Sequence, residues 1–306
     1  DYEVGYAPGV WRPDPVSNSP IALGAYWQRL TPFVLPSITQ FRVPPPPALT
    51  SDAYARAFNE VKQLGGDGVR TPTRRTREQT VIGIYWAYDG VAWIGTPVRL
   101  YNQVAMQLAL RRCSDALELA RVMALVNVAI ADTTMAVWQS KYDYDFWRPV
   151  TAVREASPGS GPTGLGDGNP YTHGDPAWTP LGAPASNLIG PDFTPPFPAY
   201  VSGHAGLGGA TFHMLRRLYG DRVPFTFVSD EFNGITRDND GRVRPRLPRS
   251  YATLTQAEEE NGQSRIYLGV HWQFDKTAGV ALSHRIVDTI FQRGLVRPAP
   301  AAATTP

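Results

Sequence analysis

FPAYVSGHAGLGGATFHMLRRLYG, Phe197 to Gly220, decides how the rest of the chain is read. It closes a long irregular segment, residues 157–200, rich in proline, glycine and short polar side chains, and runs directly into a helical pattern stopped by Gly220. A loop of that length inside a compact domain is functional or disordered. Trp178, Leu188, Phe193 and Phe197 make it a packed lid. Such a lid delivers Ser202, Gly203 and His204 to a helix start. There a hydroxyl, unpaired backbone N–H groups and the positive end of a helix dipole converge, and a glycine permits close approach. That combination suits an anion.

Working outward, residues 1–50 carry WRPDP, FVLP and VPPPPA and read as an extended Pro-rich arm, because proline forbids interior helix and restrains its predecessor. From Ser51 helices are expected. SDAYARAFNEVKQLGG has a serine cap and a glycine stop, and TREQTVIGIYWAYDG opens with a Thr76/Gln79 capping box. VRLYNQVAMQLALRRC and SDALELARVMALVNVAIADTTMAVWQSK follow, the second apolar nearly all round, hence central, and ending at Lys141. FTFVSDEFNG and the arginine-rich turn after it suggest a short hairpin. TQAEEENGQSRIYLGVHWQFDKTAGVALSHRIVDTIFQRG supplies two more helices, with a Thr255/Glu258 capping box, a break at Gly269 and a stop at Gly294. The expected fold is all-α: a helical bundle with long Pro/Gly-rich loops, divided into the arm at 1–50, a helical catalytic domain at 51–295 and a disordered tail at 296–306.

Composition narrows the function. A net charge of +2 over 306 residues argues against nucleic acid as a partner. No apolar run is expected to reach the ~18 residues of a membrane span. Lone Cys113 excludes an internal disulfide and reads as a small buried thiol. His173, His213 and His284 have no partner at metal-ligand spacing. The chain begins at Asp1, which fits a processed or truncated product.

Three groups then stand out in order: Lys141-x6-Arg148-Pro149, Ser202-Gly203-His204, and Ser264-Arg265-x5-His271-x3-Asp275. One lysine and two arginines around a helix N-terminus fit a tetrahedral oxyanion. His271 and Asp275 share a face if helical, so the carboxylate can orient or charge the imidazole. His204 is placed to act as acid or base.

This ordered set resembles the signature of the vanadium-dependent haloperoxidases and type 2 phosphatidic acid phosphatases, with Val201 where that pattern usually has proline. The surrounding WQSKYDYDFWRPVTAVR, ENGQSRIYLGVHWQFD and YDGVAWIGTPVRLYNQ resemble the haloperoxidase branch, chloroperoxidases in particular. The resemblance implies vanadate as cofactor, its oxygens held by Lys141, Arg148, Ser202, Gly203 and Arg265, with His271 as the metal ligand. It implies that His204, His271, Lys141 and Arg265 carry catalysis and that Asp89 pairs with Arg265. Trp138 and Phe197 would line the halide side, Phe197 occupying a position that is often Phe in enzymes oxidising chloride and His in those limited to bromide. Partners would be halide, hydrogen peroxide and a small organic acceptor, and the product hypohalous acid. Relatives carry a further helical segment upstream of such an arm, and family analogy points to a secreted or periplasmic location. Two alternatives stay open: a phosphatase working through a phosphohistidine at His271, and a non-catalytic oxyanion-binding bundle.

Overall fold

In a computed structural model that describes residues 2–293, α6 (Gly203–Tyr219) is the helix around which the others are arranged. It packs against α3 (Pro97–Ala109), α4 (Ala116–Tyr144), α7 (Leu254–Tyr267) and α8 (Gln273–Arg293). Helix α1 (Asp52–Leu64), α2 (Arg77–Tyr85) and the short α5 (Pro149–Glu155) complete the α-helices among the described residues, and two 3-10 turns, Trp27–Arg29 and Ile38–Phe41, lie in the arm. A β1 (Phe225–Asn233) and β2 (Arg246–Tyr251) hairpin sits outside them, antiparallel, with Phe225 opposite Tyr251. The stop at Gly294, the domain end at 295 and the tail at 296–306 lie outside the described residues.

Four glycines in the first two turns of α6 make no sense by helix propensity, since each costs about 0.8–1 kcal/mol relative to alanine. Their neighbours explain them. A Cβ at Gly208 would collide with Asn261 Nδ2 of α7, one at Gly209 with Ser283 Oγ of α8, and one at Gly206 would lie 2.7 Å from Val137 of α4. The bare backbone lets three helices close on one axis, which brings their ends together at its N-terminus.

Caps follow local chemistry. Ser51 accepts from Tyr54 N and Thr76 forms a full capping box with Gln79. For α7 the expected Thr255/Glu258 box is absent. Thr253 caps instead, accepting from Gln256 N at 3.0 Å, because the Thr255 hydroxyl is held by Asp221 at 2.8 Å. Glu258 accepts from Arg216 Nη2 and His284 Nε2, both at 2.9 Å. His284 stacks on His213, ring centroids 4.2 Å apart, and His213 meets Asp288 at 3.0 Å, so these two histidines tie α6, α7 and α8 together rather than standing alone.

Helix α4 runs past the expected end at Lys141 to Tyr144. By length and composition it could cross a membrane, although more than half of its most apolar window is buried inside the protein. Midway along it the buried Asp132 carboxylate accepts from the backbone N–H of Phe33, Val34 and Leu35 at 2.7–3.0 Å, fastening the arm. Two smaller expectations also change. Cys113 is half-buried beside the Tyr219 hydroxyl, and in the 157–200 loop Trp178 is fully buried but Leu188 is exposed.

Gly208→Ala should therefore destabilise the protein by about 1–3 kcal/mol, an overpacking cost, although alanine is the better helix former. Denaturant unfolding reads it; equal or greater stability would mean that Asn261 yields freely.

Candidate active site

The start of α6 is where distant parts of the chain meet. Ser202 caps the helix, its hydroxyl accepting from Ala205 N at 3.3 Å, while its own N–H donates to Asp275 O at 3.1 Å. Lys141 comes from the last turns of α4, Arg148 from the cap of α5, Arg265 from the end of α7, and His271 and Asp275 from the break and first turn around α8. A cavity of about 190 Å³ opens beside them. Asp89, His204, Arg265 and His271 form its polar end, and Trp138, Phe197 and Leu207 an apolar side. Lys141, Arg148, Ser202 and Asp275 do not line it, although all four are buried next to residues that do.

Each charged side chain has a defined partner. Arg265 makes a two-pronged contact with Asp89, Nη1 to Oδ2 at 3.0 Å and Nη2 to Oδ1 at 2.8 Å. Arg148 donates through Nε to Phe197 O at 2.9 Å and through Nη1 to Val270 O at 2.7 Å and His271 Nε2 at 2.9 Å. Lys141 Nζ donates to Pro198 O at 2.9 Å and Ala199 O at 3.0 Å. The end of the lid, Phe197 to Ala199, thus hands its carbonyls to two cations.

The histidines are oriented from behind. His271 Nδ1 donates to Asp275 Oδ2 at 2.7 Å, which leaves Nε2 as the lone-pair nitrogen. His204 Nε2 donates to the carbonyl of Ala87, so the neutral ring keeps Nδ1 free to accept a proton. Its own backbone carbonyl is held by Tyr101 and Asn261, each at 2.9 Å.

The comparisons with known proteins bear on this geometry. A family described as the VCPO second helical-bundle domain matches residues 121–295. The vanadium chloroperoxidase of Curvularia inaequalis is 38% identical over 272 aligned residues, which take in 76% of this chain and 43% of that protein. The chain belongs to the vanadium haloperoxidase family. Among solved structures, a bacterial vanadium-dependent iodoperoxidase superposes with a TM-score of 0.72 at 26% identity, covering 96% of this chain and 62% of the other. A holo-type bacterial vanadium-dependent chloroperoxidase, at TM-score 0.64 and 16% identity over 95% and 63%, shares the fold. The chain thus spans less than two thirds of the length of these relatives.

For a haloperoxidase the relevant test is whether these residues fit an oxyanion, and they do. Arg148 Nη2 and Arg265 Nε are buried donors without an acceptor. Three buried cations, Lys141, Arg148 and Arg265, face two carboxylates, Asp89 and Asp275, at the positive end of α6. The titration tendencies express the same surplus. Burial, then Arg148, pushes the Lys141 ammonium well below its ordinary value, and burial lowers Arg148 to about 9. Burial, then Arg148 and Lys141, holds His271 neutral, and burial raises Asp275 to about 7. Burial, then Arg265, lowers His204 to about 4.

Several features escaped the sequence. The Ala87 carbonyl gave no signal, because a backbone contact does not depend on the side chain above it. Leu23 and Trp27 of the arm line the cavity from far upstream, with no periodicity to mark them. Trp138 lies on the cavity, but its indole N–H is committed to Leu23 O at 3.0 Å and offers no donor there.

In protein without an oxyanion, NMR should find His204 neutral at pH 6, with a midpoint near the value of about 4. The unfolded chain takes up this proton near 6.5, so His204 lowers folding stability as pH falls from 6.5 towards 4. A midpoint at or above 6 would contradict the buried, cation-flanked environment.

Proposed function

We propose that this chain carries the catalytic site of an enzyme that oxidises chloride and bromide with hydrogen peroxide to hypohalous acid, which then halogenates small organic acceptors. One observation carries the reading: a dry surplus of positive charge flanked by two neutral histidines, His204 with Nδ1 free and His271 with an unprotonated Nε2 that accepts from Arg148. An oxyanion-binding protein needs only the cations. Two histidines held in defined tautomers add proton transfer and metal ligation, and the named relatives are haloperoxidases.

Vanadate is the cofactor this reading requires; bound, it would activate peroxide as a Lewis acid without changing oxidation state. Lys141, Arg148 and Arg265 would hold its negative charge, with the Ser202 hydroxyl and Gly203 N–H donating to its oxygens. His271 Nε2 would be the metal ligand, and Asp275 keeps that nitrogen unprotonated by binding the other one. His204 Nδ1 would accept the proton that peroxide gives up on binding. Asp89 stops Arg265 from turning away. Phe197 has Lys141 Nζ 4.9 Å and Arg148 Cζ 5.0 Å from its ring centre, so an apolar face replaces water next to both cations. Charges beside such a face act more strongly than in water, which favours oxidation of the more resistant halide.

Halogenation of a dye should depend wholly on added vanadate, and excess phosphate should slow reconstitution, since both anions compete for one cradle. His271→Ala should abolish stable vanadate binding. His204→Ala should retain vanadate and lose about 10²- to 10⁴-fold in turnover, the usual worth of a positioned proton-transfer group. Turnover that survives complete removal of vanadate, or equal vanadate affinity in wild type and His271→Ala, would refute the assignment.

Phe197→His should reduce chloride turnover far more than bromide turnover. Steady-state rates with each halide, beside a melting curve, decide it. A proportional loss of both would make Phe197 a packing residue of the lid.

A further inference from the structure

The cavity is closed from outside the bundle by the arm. Leu23 is gripped on both sides of its peptide unit: its N–H donates to Pro196 O at 2.9 Å, and its carbonyl accepts from Trp138 Nε1 at 3.0 Å and the Tyr142 hydroxyl at 2.8 Å. Gly24 then turns with φ of +76°, and a Cβ there would collide with the indole nitrogen of Trp138. The turn lays Trp27 on Trp138, centroids 4.8 Å apart, and Trp138 lies on Phe197 at 5.1 Å. Three rings therefore run in series from the surface to the two cations beside Phe197. Trp138 is 6% exposed, whereas Trp27 is 39% exposed and still lines the cavity, which places it at the mouth.

We propose that Trp27 is a specificity-determining residue, the outer wall of the halide cavity, which keeps water from the Trp138–Phe197 face and so favours the halide hardest to oxidise. The proposal rests on the haloperoxidase reading. Water admitted at the mouth would raise the local dielectric and weaken the hold of Lys141 and Arg148 on charge in the cavity. Chloride, the most resistant and most strongly hydrated of the three common oxidisable halides, would suffer first, and iodide least. Trp27 touches neither cation, so its effect passes through Trp138 and through the exclusion of water.

Trp27→Ala and Trp27→Phe test this in the vanadate-loaded protein. Steady-state rates with chloride, bromide and iodide are compared, vanadate affinity is measured as a control, and bromide is located in crystals by anomalous scattering. Trp27→Ala should lower kcat/KM for chloride about tenfold more than for iodide, with unchanged vanadate affinity and reduced bromide occupancy in the cavity. Trp27→Phe should restore most of the chloride rate. An unchanged chloride-to-iodide ratio in Trp27→Ala overturns the proposal, whether the rates fall together or stay the same. If the wild-type protein oxidises no halide, the functional reading falls separately. Bromide occupancy, which needs no turnover, then decides the wall: equal occupancy in wild type and Trp27→Ala overturns it.

Discussion

Close packing along α6 is the constraint on which everything else depends. Val137, Asn261 and Ser283 press against Gly206, Gly208 and Gly209, so α4, α7 and α8 approach the α6 backbone more nearly than side chains would permit. Because those helices end or begin near the α6 N-terminus, their terminal residues fall within a few ångströms of one another. Lys141, Arg265 and Asp275 are thus gathered by helix ends, and His271 by the short break between α7 and α8. Sites set on helix ends are held more firmly than sites on free loops, which suits a constellation in which two buried donors, Arg148 Nη2 and Arg265 Nε, stay unsatisfied.

The same packing creates an electrostatic problem. Burial, with neighbouring like charges adding to it, disfavours protonation here, as the lowered Lys141, Arg148 and His271 show. Asp89 and Asp275 relieve part of this and leave Arg148 Nη2 and Arg265 Nε without acceptors. Folding here spends stability on readiness for an anion. The lid contributes by supplying carbonyls of Phe197, Pro198 and Ala199 to the cations, which holds them in place without neutralising them.

Much of this was legible in the sequence wherever a signal is local. Ser51, Thr76 and Gly220 mark helix ends through chemistry confined to a few residues, and the hairpin announces itself by its turn-rich middle. The ordered spacing of Lys141, Arg148, Ser202, Gly203, His204, Arg265, His271 and Asp275 pointed to one site, because helix ends and permanent charges are readable from residue type. Contacts between separate elements were not. Thr255 looked like a cap until Asp221, distant in sequence, claimed its hydroxyl. His213 and His284 looked solitary because their partners lie on other helices, and Trp27 sits in an arm without a period to mark it.

The short turn between Tyr85 and Gly90 has a consequence of its own. Its Ala87 carbonyl fixes the tautomer of His204, and its Asp89 carboxylate fixes Arg265. Ser229 and Asp230 of β1 moor it through Tyr85 O and the Tyr88 hydroxyl. On the proposed reading, proton handling and anion charge are therefore governed from a single segment and cannot be adjusted independently by changes there. Anyone grafting this turn from a relative would transplant basicity and affinity as one inherited trait, and would have to bring the matching hairpin residues along with it.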